Sequence, residues 1–551
     1  MFRCISAHFQ YYIMLTKAEK KILRADLFRY LDGLGTSPTA YVLYKNGVLD
    51  YLLDKGTVTL AEIATQFEAN EGYLNVALRI LCSQGWLSQE INNAKDEISY
   101  AVNKNSKIAF AHCHLYKEVY DLLVLSGKYH KRLFQQEPYQ VWIGTANKFK
   151  EGYGVVLSDD TKENEIQKQI LKHIEGMLVA PSVVSLGMSG MFHKYFMEAS
   201  FRPEEFHEAS DSFSSLLDFF SSLGWFTKKN ETYGFTDKGL FFAKRASAFG
   251  VTVSYNPMFR NVEELIFGNP NTIREVAEGG PEKHVDREMN VWGSGGAHGT
   301  YFKKVDEIII SLFNKPISEQ PKGIVDMGCG NGAYLEHLYE VVSQRTARGK
   351  MLDEHPLFLV GADYNQAALK VTRANLISAD IWAKVIWGDI GRPDILAKDL
   401  QEDYGIELKD LLSVRTFLDH NRIWEAPKSK TKGRSSDSTG AFAHRGIRIS
   451  NNDVEDNLRE HFQKWTPYVE KFGLLLIELH TVNPELVAKN LGDTAATAYD
   501  ATHGYSDQYI VEVDVFHKIA AEAGLYLDKQ HFHKFPNSDL ATVTINLLKG
   551  K

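Results

Sequence analysis

The stretch VDMGCGNGAYLEHL, residues 325–338, decides the fold of this chain. It begins inside a short apolar run, GIVDMG, and ends in an amphipathic pattern typical of a helix. Between them stand Gly328, Gly330 and Gly332. Glycine allows a sharp turn and lets a ligand approach the N-terminus of the following helix. The spacing G-x-G-x-G also differs from the G-x-G-x-x-G of dinucleotide-binding dehydrogenases. The stretch predicts a strand, a ligand-binding turn and a helix.

The same alternation of strand and helix continues to the end of the chain. LFLVGAD, AKVIWGDI, LLSVRTF and GLLLIELH are short apolar runs separated by amphipathic helices. This pattern indicates βαβ units with a mostly parallel sheet. YLDKQHFHKF and ATVTINLLKG lie close together and predict an antiparallel pair. The predicted fold class is α/β, with five parallel strands followed by a C-terminal antiparallel hairpin.

Each of the first three predicted strands ends near an aspartate. Asp363 is placed to accept hydrogen bonds from both hydroxyls of a ribose, as acids in this position do in nucleotide folds. Asp389 is a candidate for an adenine amino group, and Ile390 for packing on the ring. A single aspartate at a strand end is more often a helix cap. Three in register, with Asp326 as the first, favour a nucleotide-like ligand.

Composition limits the class of protein. A chain of 551 residues is long enough for two or three domains, and its net charge of −8 argues against a general nucleic-acid binder. Cys4, Cys82, Cys113 and Cys329 form no C-x-x-C pair and are expected to be reduced thiols. The opening segment has no signal-peptide cleavage site, and no apolar run approaches the roughly 20 residues that span a bilayer. We expect a cytoplasmic protein without a membrane segment.

Two stretches in the first half share one plan. YLNVALRILCSQGWLSQE (73–90) and SFSSLLDFFSSLGWFTKKNETYGFTDKG (212–239) each predict a helix and a Gly-Trp turn that runs into a short strand. In the second copy KKNETY predicts a tight turn between two short strands. Helical segments precede both, TLAEIATQF in one copy and RPEEFHEA in the other. This is the plan of a winged helix. Arg79 is the one cation on the two candidate recognition helices, which argues against DNA reading. The wings are expected to build a dimer interface or a substrate-chamber wall.

Changes in composition suggest where these domains end. The polar run SDDTKENEIQKQ (158–169) marks one boundary, and the glycine-rich MNVWGSGGAHGTYF (289–302) precedes the change to strand and helix alternation. We predict a winged-helix-like domain over 1–165, a second winged-helix-like or lid domain over 166–300, and a catalytic domain over 301–551. The glycine-rich segment is expected to fold over the ligand as a hinged cover.

The glycine motif, the two downstream acids and the terminal hairpin resemble class I S-adenosylmethionine-dependent methyltransferases. MNVWGSGGAH, GADYNQAALKVTRANL and RTFLDHNR more closely resemble C-methyltransferase domains of polyketide synthase loading modules. The resemblance implies a Rossmann-like fold and S-adenosylmethionine as cofactor. It implies the following cofactor-binding positions: Asp326, Gly328, Gly330, Asp363, Tyr364, Asp389 and Ile390.

The segment LDHNR, at 418–422, lies beyond the fourth predicted strand, where open α/β sheets bind ligands. Methylation of carbon requires a stabilised enolate, by a base, a cation or a metal. His420 is the candidate base or metal ligand, and Arg415 or Arg422 is a candidate to hold a carboxylate. Asp419 is either part of this site or a helix cap. Glu478 and His480 are expected at the same rim of the sheet.

Farther along, THGYSDQYIVE offers His503 and Gln508. Histidine and glutamine suit an iron-like divalent ion. Some relatives in the suggested family use a mononuclear metal, and His420 with Gln508 is the preferred pair.

The reaction stays open between C-methylation of an acyl or malonyl-type unit, free or on an acyl carrier protein, and O-methylation of a phenolic or hydroxylated metabolite with His420 as base. The non-enzyme alternative is a regulator that binds the cofactor or DNA without catalysing a reaction. The basic loop KSKTKGRSSDSTGAFAHRG (428–446) predicts a mobile surface loop or, alternatively, a contact for an acidic carrier. The expected partners are this small or carrier-bound substrate and a second copy of the chain, with no nucleic acid.

Overall fold

A computed structural model describes residues 15–126, 134–276 and 282–551. The opening segment up to residue 14, with Cys4, lies outside the described residues. The strands are β1 Thr57–Thr59, β2 Leu87–Asn92, β3 Glu97–Val102, β4 Phe226–Lys229, β5 Thr232–Phe235, β6 Gly323–Met327, β7 Phe358–Asp363, β8 Lys384–Trp387, β9 Leu411–Thr416, β10 Phe442–His444, β11 Ile447–Ile449, β12 Leu474–Leu479, β13 Tyr526–Leu527, β14 His533–Phe535 and β15 Val543–Lys549.

The helices divide into two sets along the chain. Those before β6 are α1 Lys17–Lys45, α2 Val48–Lys55, α3 Leu60–Gln66, α4 Glu71–Ser83, α5 Ser106–His112, α6 Lys117–Ser126, α7 Gln136–Lys150, α8 Thr161–Met188, α9 Met191–Tyr195, α10 Ser210–Ser222, α11 Asp237–Ala243, α12 Ser247–Ser254, α13 Asn256–Phe259, α14 Val262–Phe267 and α15 Arg287–Phe313. Those after β6 are α16 Ala333–Arg345, α17 Gln366–Ser378, α18 Pro393–Tyr404, α19 Asn451–Val469, α20 Pro484–Lys489, α21 Ala496–Gly504 and α22 Val513–Glu522.

An eight-stranded sheet in the second half confirms the predicted α/β class. Its order is β13-β15-β12-β9-β6-β7-β8, and β14 also pairs with β15. Strands β8, β7, β6, β9 and β12 run parallel, whereas β15 is antiparallel to β12. Every residue of β6 and of β12 is buried, as expected for strands covered on both faces. The parallel strands therefore present their carboxyl ends along one edge of the sheet, where the candidate residues lie.

Both predicted wings are present in the first half. In the first copy α3 and α4 precede the hairpin β2–β3, and β1 pairs with β3 to complete a three-stranded sheet. In the second copy α10 precedes the hairpin β4–β5. The helix predicted for RPEEFHEA is wrong, because only a 3-10 turn forms there, over Pro203–Glu205. Pro203 is the first residue of this turn, and the next helix, α10, begins only at Ser210.

The hinge predicted in the glycine-rich segment is also wrong. Its residues lie within the continuous helix α15. A Cβ atom on Gly293 would lie 2.5 Å from the Val251 nitrogen, and one on Gly250 would lie 2.7 Å from the Gly293 Cα. The glycines thus allow α12 and α15 to pack backbone against backbone. The predicted domain boundary near residue 300 falls inside this helix, and the one near 165 falls inside α8.

Helix α8 was not recognised in the sequence as an apolar span. Among the described residues it is the one helix long and apolar enough to cross a membrane, yet 83% of its apolar window is buried inside the protein. Cβ atoms on Gly176 and Gly33 would each lie 2.6 Å from the opposite backbone, at Tyr30 and His173. Close packing against α1 accounts for the apolar composition of α8.

The loop predicted over 428–446 is an ordered insertion. Arg434 lies 4% exposed and forms ion pairs with Glu455, Asp456 and Glu522. Beyond it the hairpin β10–β11 contacts α4, where the Gly72 N–H donates to the Gly446 carbonyl at 2.9 Å. The basic side chain of Arg434 is therefore engaged within the protein and does not project from a free surface loop.

Candidate active site

The glycine turn after β6 leaves open space above the sheet. Gly328, Gly330 and Gly332 have φ of 80°, 55° and 82°, a left-handed backbone that favours glycine. A Cβ atom on Gly330 would meet no atom within 4 Å, so the backbone faces an open cradle. A Cβ on Gly328 would lie 2.9 Å from Leu418 in the segment after β9. This turn fits the close approach of a ligand backbone, as S-adenosylmethionine requires.

Asp363 organises the turn from the tip of β7. Its Oδ2 accepts a hydrogen bond from the Gly330 N–H at 3.0 Å, and its Oδ1 accepts from the Asn365 N–H at 2.8 Å. Tyr364 is 62% exposed, with its ring 5.7 Å from that of Trp387. The carboxylate therefore lies where a ribose would be expected, beside an exposed aromatic ring.

Asp326 lies beneath this turn with almost no exposed surface. Burial, together with the nearby carboxylate of Asp363, raises the pKa of Asp326 to about 8. A cationic ligand group would reverse this effect, because an opposite charge favours the ionised carboxylate. The position of Asp326 therefore fits the ammonium group at the amino acid end of S-adenosylmethionine.

Asp389 and Ile390 follow β8 at the other end of this edge. Asp389 Oδ1 accepts from the Gly391 N–H at 2.7 Å, and the Ile390 carbonyl accepts from the Trp465 indole at 2.7 Å. A cavity of about 490 Å³ opens beside Asp389 and extends to Arg422 and His461. The glycine turn and Asp363 do not line it, so this cavity borders the predicted adenine position but does not contain the whole cofactor site.

The chain leaves β9 through a strained residue. Phe417 has φ of 55°, an outlier for a bulky side chain, and its N–H donates to the Ile477 carbonyl at 2.7 Å. A 3-10 turn over Asp419–Asn421 follows directly. The reversal at Phe417 brings this turn against the end of β12.

His420 and Glu478 form a buried pair across β9 and β12. Both side chains are at most 5% exposed, and His420 Nδ1 contacts Glu478 Oε1. Glu478 also accepts from the N–H groups of Asp419 at 3.0 Å and Leu479 at 2.8 Å. A carboxylate bound to Nδ1 fixes the tautomer and leaves Nε2 as the proton acceptor. This arrangement suits a general base.

A second buried network lies directly beside this pair. Asp419 Oδ1 accepts from Arg415 Nη1 at 2.6 Å and contacts His461 Nε2 at 2.8 Å. Arg415 has no exposed surface, and its guanidinium lies 4.0 Å from the Trp465 ring centroid. Arg415 therefore holds a carboxylate of the protein through Nη1, whereas its Nε and Nη2 make no hydrogen bond among the described residues, and its expected contact with a substrate carboxylate stays a prediction. Arg422 is similarly committed, to Asn457 at 2.6 Å.

The ionisation of this network follows from its burial. Burial alone would raise the pKa of Asp419, but Arg415, His461 and Arg422 hold it below its ordinary value. Burial lowers the pKa of His461 to about 4, against the pull of Asp419. At neutral pH the network thus holds an ionised Asp419, a cationic Arg415 and a neutral His461.

The remaining predicted residues divide between this site and the core. The His503 ring lies 5.1 Å from that of His420, with its Nδ1 2.8 Å from the Tyr499 carbonyl. His480 was expected at the rim but is buried, bonded to the Val511 carbonyl at 3.0 Å and to Thr544 at 2.6 Å.

The described residues give no support for the predicted metal at His420 and Gln508. The Gln508 amide nitrogen donates to Tyr255 and to Ser506, each at 3.0 Å. Within residues 15–126, 134–276 and 282–551, no group of three or more His, Cys, Asp or Glu is placed to hold a metal ion. No catalytic step is therefore assigned to a metal.

The sequence interpretation missed His461 and Trp465. They lie four residues apart on α19, so both face the end of β9. The segment REHFQKW reads as an ordinary amphipathic helix, and a single histidine on its apolar face gives no functional signal. Their contact with Asp419 and Arg415 depends on packing between distant elements.

Comparisons with known proteins agree with this architecture. Residues 282–546 match the family model described as the AprA MT2-like domain, residues 175–269 the AprA winged helix domain, and residues 23–89 the AprA N-terminal domain. No curated protein matches the chain.

Solved methyltransferases resemble the chain only distantly. The mitomycin 7-O-methyltransferase MmcR is 11% identical, with a TM-score of 0.40, and the match covers 70% of this chain and 98% of that one. The carbon methyltransferase CurJ is 12% identical, with a TM-score of 0.31, covering 75% and 99%. An O-methyltransferase family protein from Burkholderia thailandensis is 10% identical, with a TM-score of 0.40, covering 68% and 94%. Likenesses this low do not distinguish carbon from oxygen acceptors.

The family matches and the parallel sheet with its glycine turn lead to one conclusion. This chain is an S-adenosylmethionine-dependent methyltransferase, with an AprA MT2-like catalytic domain over residues 282–546 and an AprA winged helix domain before it.

Proposed function

We propose that this methyltransferase methylates the carbon next to the carbonyl of an acyl thioester, either free or on an acyl carrier protein, in secondary metabolism. The observation that carries the proposal is the buried pair of His420 and Glu478. A carbon acid loses its proton less readily than a phenol. It therefore gains more from an imidazole whose cationic form is stabilised by a buried carboxylate.

Each protein group has one role in this proposal. Asp326, Gly328 and Gly330 hold the amino acid end of the cofactor, Asp363 and Tyr364 its ribose, and Asp389 and Ile390 its adenine. When bound, S-adenosylmethionine supplies an electrophilic methyl group on a cationic sulfur.

His420 Nε2 takes the α-proton of the acyl unit, and Glu478 stabilises the resulting imidazolium through Nδ1. The carbanion electron pair forms the new C–CH₃ bond while the S–CH₃ bond breaks and its electron pair moves to sulfur. Asp419, fixed by Arg415 and His461, holds the turn that carries His420.

The test separates proton removal from methyl transfer. In D₂O without a methyl donor, the wild-type protein should exchange the α-protons of a malonyl-type thioester, and His420→Ala should not. With labelled cofactor, the label should appear in a C–CH₃ group that survives ester hydrolysis. Label transferred only to phenolic oxygen, with no α-proton exchange, would overturn the carbon acceptor and favour O-methylation by the same base.

A further inference from the structure

Asp507 occupies an unusual position in the turn between α21 and α22. Its φ is 59°, in the left-handed region that only a few non-glycine residues adopt, with aspartate among the more tolerant. Its side chain is 10% exposed. Such a conformation persists only where surrounding contacts hold it. The catalytic scheme above makes no use of this residue.

Three distant parts of the chain converge on the Asp507 carboxylate. Tyr73, a fully buried residue of α4, donates its hydroxyl to Oδ1 at 2.6 Å. Arg445, in the β10–β11 hairpin, donates its backbone N–H to Oδ1 at 3.3 Å and places Nε 3.6 Å from Oδ2. Arg274 places Nη2 3.7 Å from Oδ2 and donates from the same atom to the Tyr505 carbonyl at 2.7 Å. A buried cation, Arg274, a more exposed one, Arg445, and a buried phenol thus surround one carboxylate.

The turn that Asp507 anchors holds the reactive histidine on both sides. Before it, His503 lies in the last turn of α21 and places its ring against His420. The Gln508 N–H closes the turn by donating to the His503 carbonyl at 2.9 Å. After it, the Tyr509 N–H donates to the His420 carbonyl at 2.8 Å. A displacement of this turn would therefore move both the ring that packs on His420 and the backbone bond that holds it.

We propose that Asp507 is a positioning residue, through which Tyr73 of the first winged-helix-like segment and Arg274 set the geometry of His420. The inference rests on the proposed role of His420 and extends it, because it assigns the N-terminal region a part in positioning the catalytic histidine. Since the cofactor positions lie on β6, β7 and β8, Asp507 should influence turnover and not cofactor affinity.

The test uses Asp507→Gly in the full-length protein, because glycine keeps the left-handed backbone and removes only the carboxylate. Turnover should fall on the order of 10-fold to 100-fold, as expected for a misplaced catalytic group. S-adenosylmethionine affinity by calorimetry should stay at the wild-type value. Asp507→Asn should recover most of the turnover, because its amide oxygen still accepts from Tyr73. Asp380→Gly is the matched control, since Asp380 also has a positive φ of 55° but is exposed at the end of α17.

A second readout keeps this test independent of the methyl acceptor. The imidazole NMR signals of His420 and His503, assigned with His→Ala variants, should shift in Asp507→Gly and in Tyr73→Phe but not in Asp380→Gly. Wild-type signals and turnover in Asp507→Gly would overturn the proposal. Equal loss of cofactor affinity and turnover would also overturn it, because that result indicates general loss of structure. Shifted signals in a protein that methylates no thioester would place the failure in the proposed acceptor instead.

Discussion

The two halves of the sheet edge are built by different means. We name the ends of β6, β7 and β8 the cofactor edge. Its shape is set mainly by the backbone, through glycines in the left-handed conformation and an aspartate that accepts hydrogen bonds from main-chain N–H groups. At the ends of β9 and β12, which we name the acceptor edge, buried side chains bind one another across distant elements. The cofactor edge leaves open space for S-adenosylmethionine, the cofactor that C-methylation and O-methylation would both use. The acceptor edge fixes a base whose position would decide the reaction.

This difference leads us to expect separate consequences of mutation. Changes at the cofactor edge should weaken binding of S-adenosylmethionine. Changes at the acceptor edge should slow the reaction or destabilise the protein and leave cofactor affinity unchanged.

The largest effect is expected for Glu478→Gln. The amide cannot stabilise a cationic His420. It also places an N–H₂ group beside the N–H donors of Asp419 and Leu479, which bind the carboxylate in the wild type. Turnover should fall roughly 10² to 10⁴-fold. Cofactor affinity, measured by calorimetry, should not change. Elemental analysis of both proteins is the control for a metal, since loss of a bound ion in the variant would indicate that Glu478 supports a metal site.

The next largest effect concerns stability. Asp419→Ala leaves Arg415 buried without its carboxylate, which costs about 3–5 kcal/mol of unfolding free energy. Denaturant titration should show this loss. Asp394→Ala removes the partner of Arg392 in an exposed pair and is the matched control, with almost unchanged stability expected. Equal losses of unfolding free energy in the two variants would mean that the buried network stabilises the protein no more than an exposed ion pair does.

A moderate effect is expected for Asp363→Ala. The variant loses the proposed ribose acceptor and the bond to the Gly330 N–H, so cofactor affinity should fall by about 2 kcal/mol, or about 30-fold. Calorimetry with S-adenosylmethionine measures this directly. Affinity at the wild-type value would contradict the ribose assignment.

A smaller effect is expected for Asp326, the buried acid of the cofactor edge, whose contribution to the free energy of unfolding should depend on pH. Because the folded-state pKa of Asp326 is raised to about 8 from an unfolded value near 3.8, the folded protein holds this proton more tightly than the unfolded chain. The contribution of Asp326 to stability is therefore fully present below about pH 4 and is lost as the pH rises toward 8. Asp326→Asn should gain stability relative to wild type between these values. A pH-independent difference would contradict the shift.

The smallest effect is an expected absence of binding. Arg79, the cation on the first candidate recognition helix, is 2% exposed and forms an ion pair with Asp500 at 2.5 Å. It cannot contact phosphates without leaving this pair. We expect no salt-sensitive affinity for random duplex DNA. Affinity tighter than micromolar at physiological salt would favour the regulator alternative.

The same contrast explains how far the sequence could be interpreted. The succession of parallel strands and the placement of Asp326, Asp363 and Asp389 followed from local spacing, because each residue lies at the end of its own strand. The glycine-rich segment over 289–302 was misinterpreted because glycine serves both hinges and close helix packing. The distinction depends on α12, which local sequence does not reveal.

The acceptor edge was predictable only in part. His420 stood out within LDHNR, and Glu478 was placed at the same rim. The commitment of Arg415 to Asp419 and His461 was not visible, because His461 lies 42 residues beyond Asp419. Tyr73 lies 434 residues before its partner Asp507, and no spacing rule connects such positions.

The central claim is that the two edges perform separable tasks, and His420→Ala compared with Asp363→Ala tests it most directly. Turnover on a malonyl-type thioester and S-adenosylmethionine affinity should be measured for both variants in parallel. We predict that His420→Ala loses turnover at wild-type cofactor affinity, whereas Asp363→Ala loses affinity but recovers turnover at saturating cofactor. Wild-type turnover in His420→Ala, or equal loss of cofactor affinity in both variants, would contradict the account.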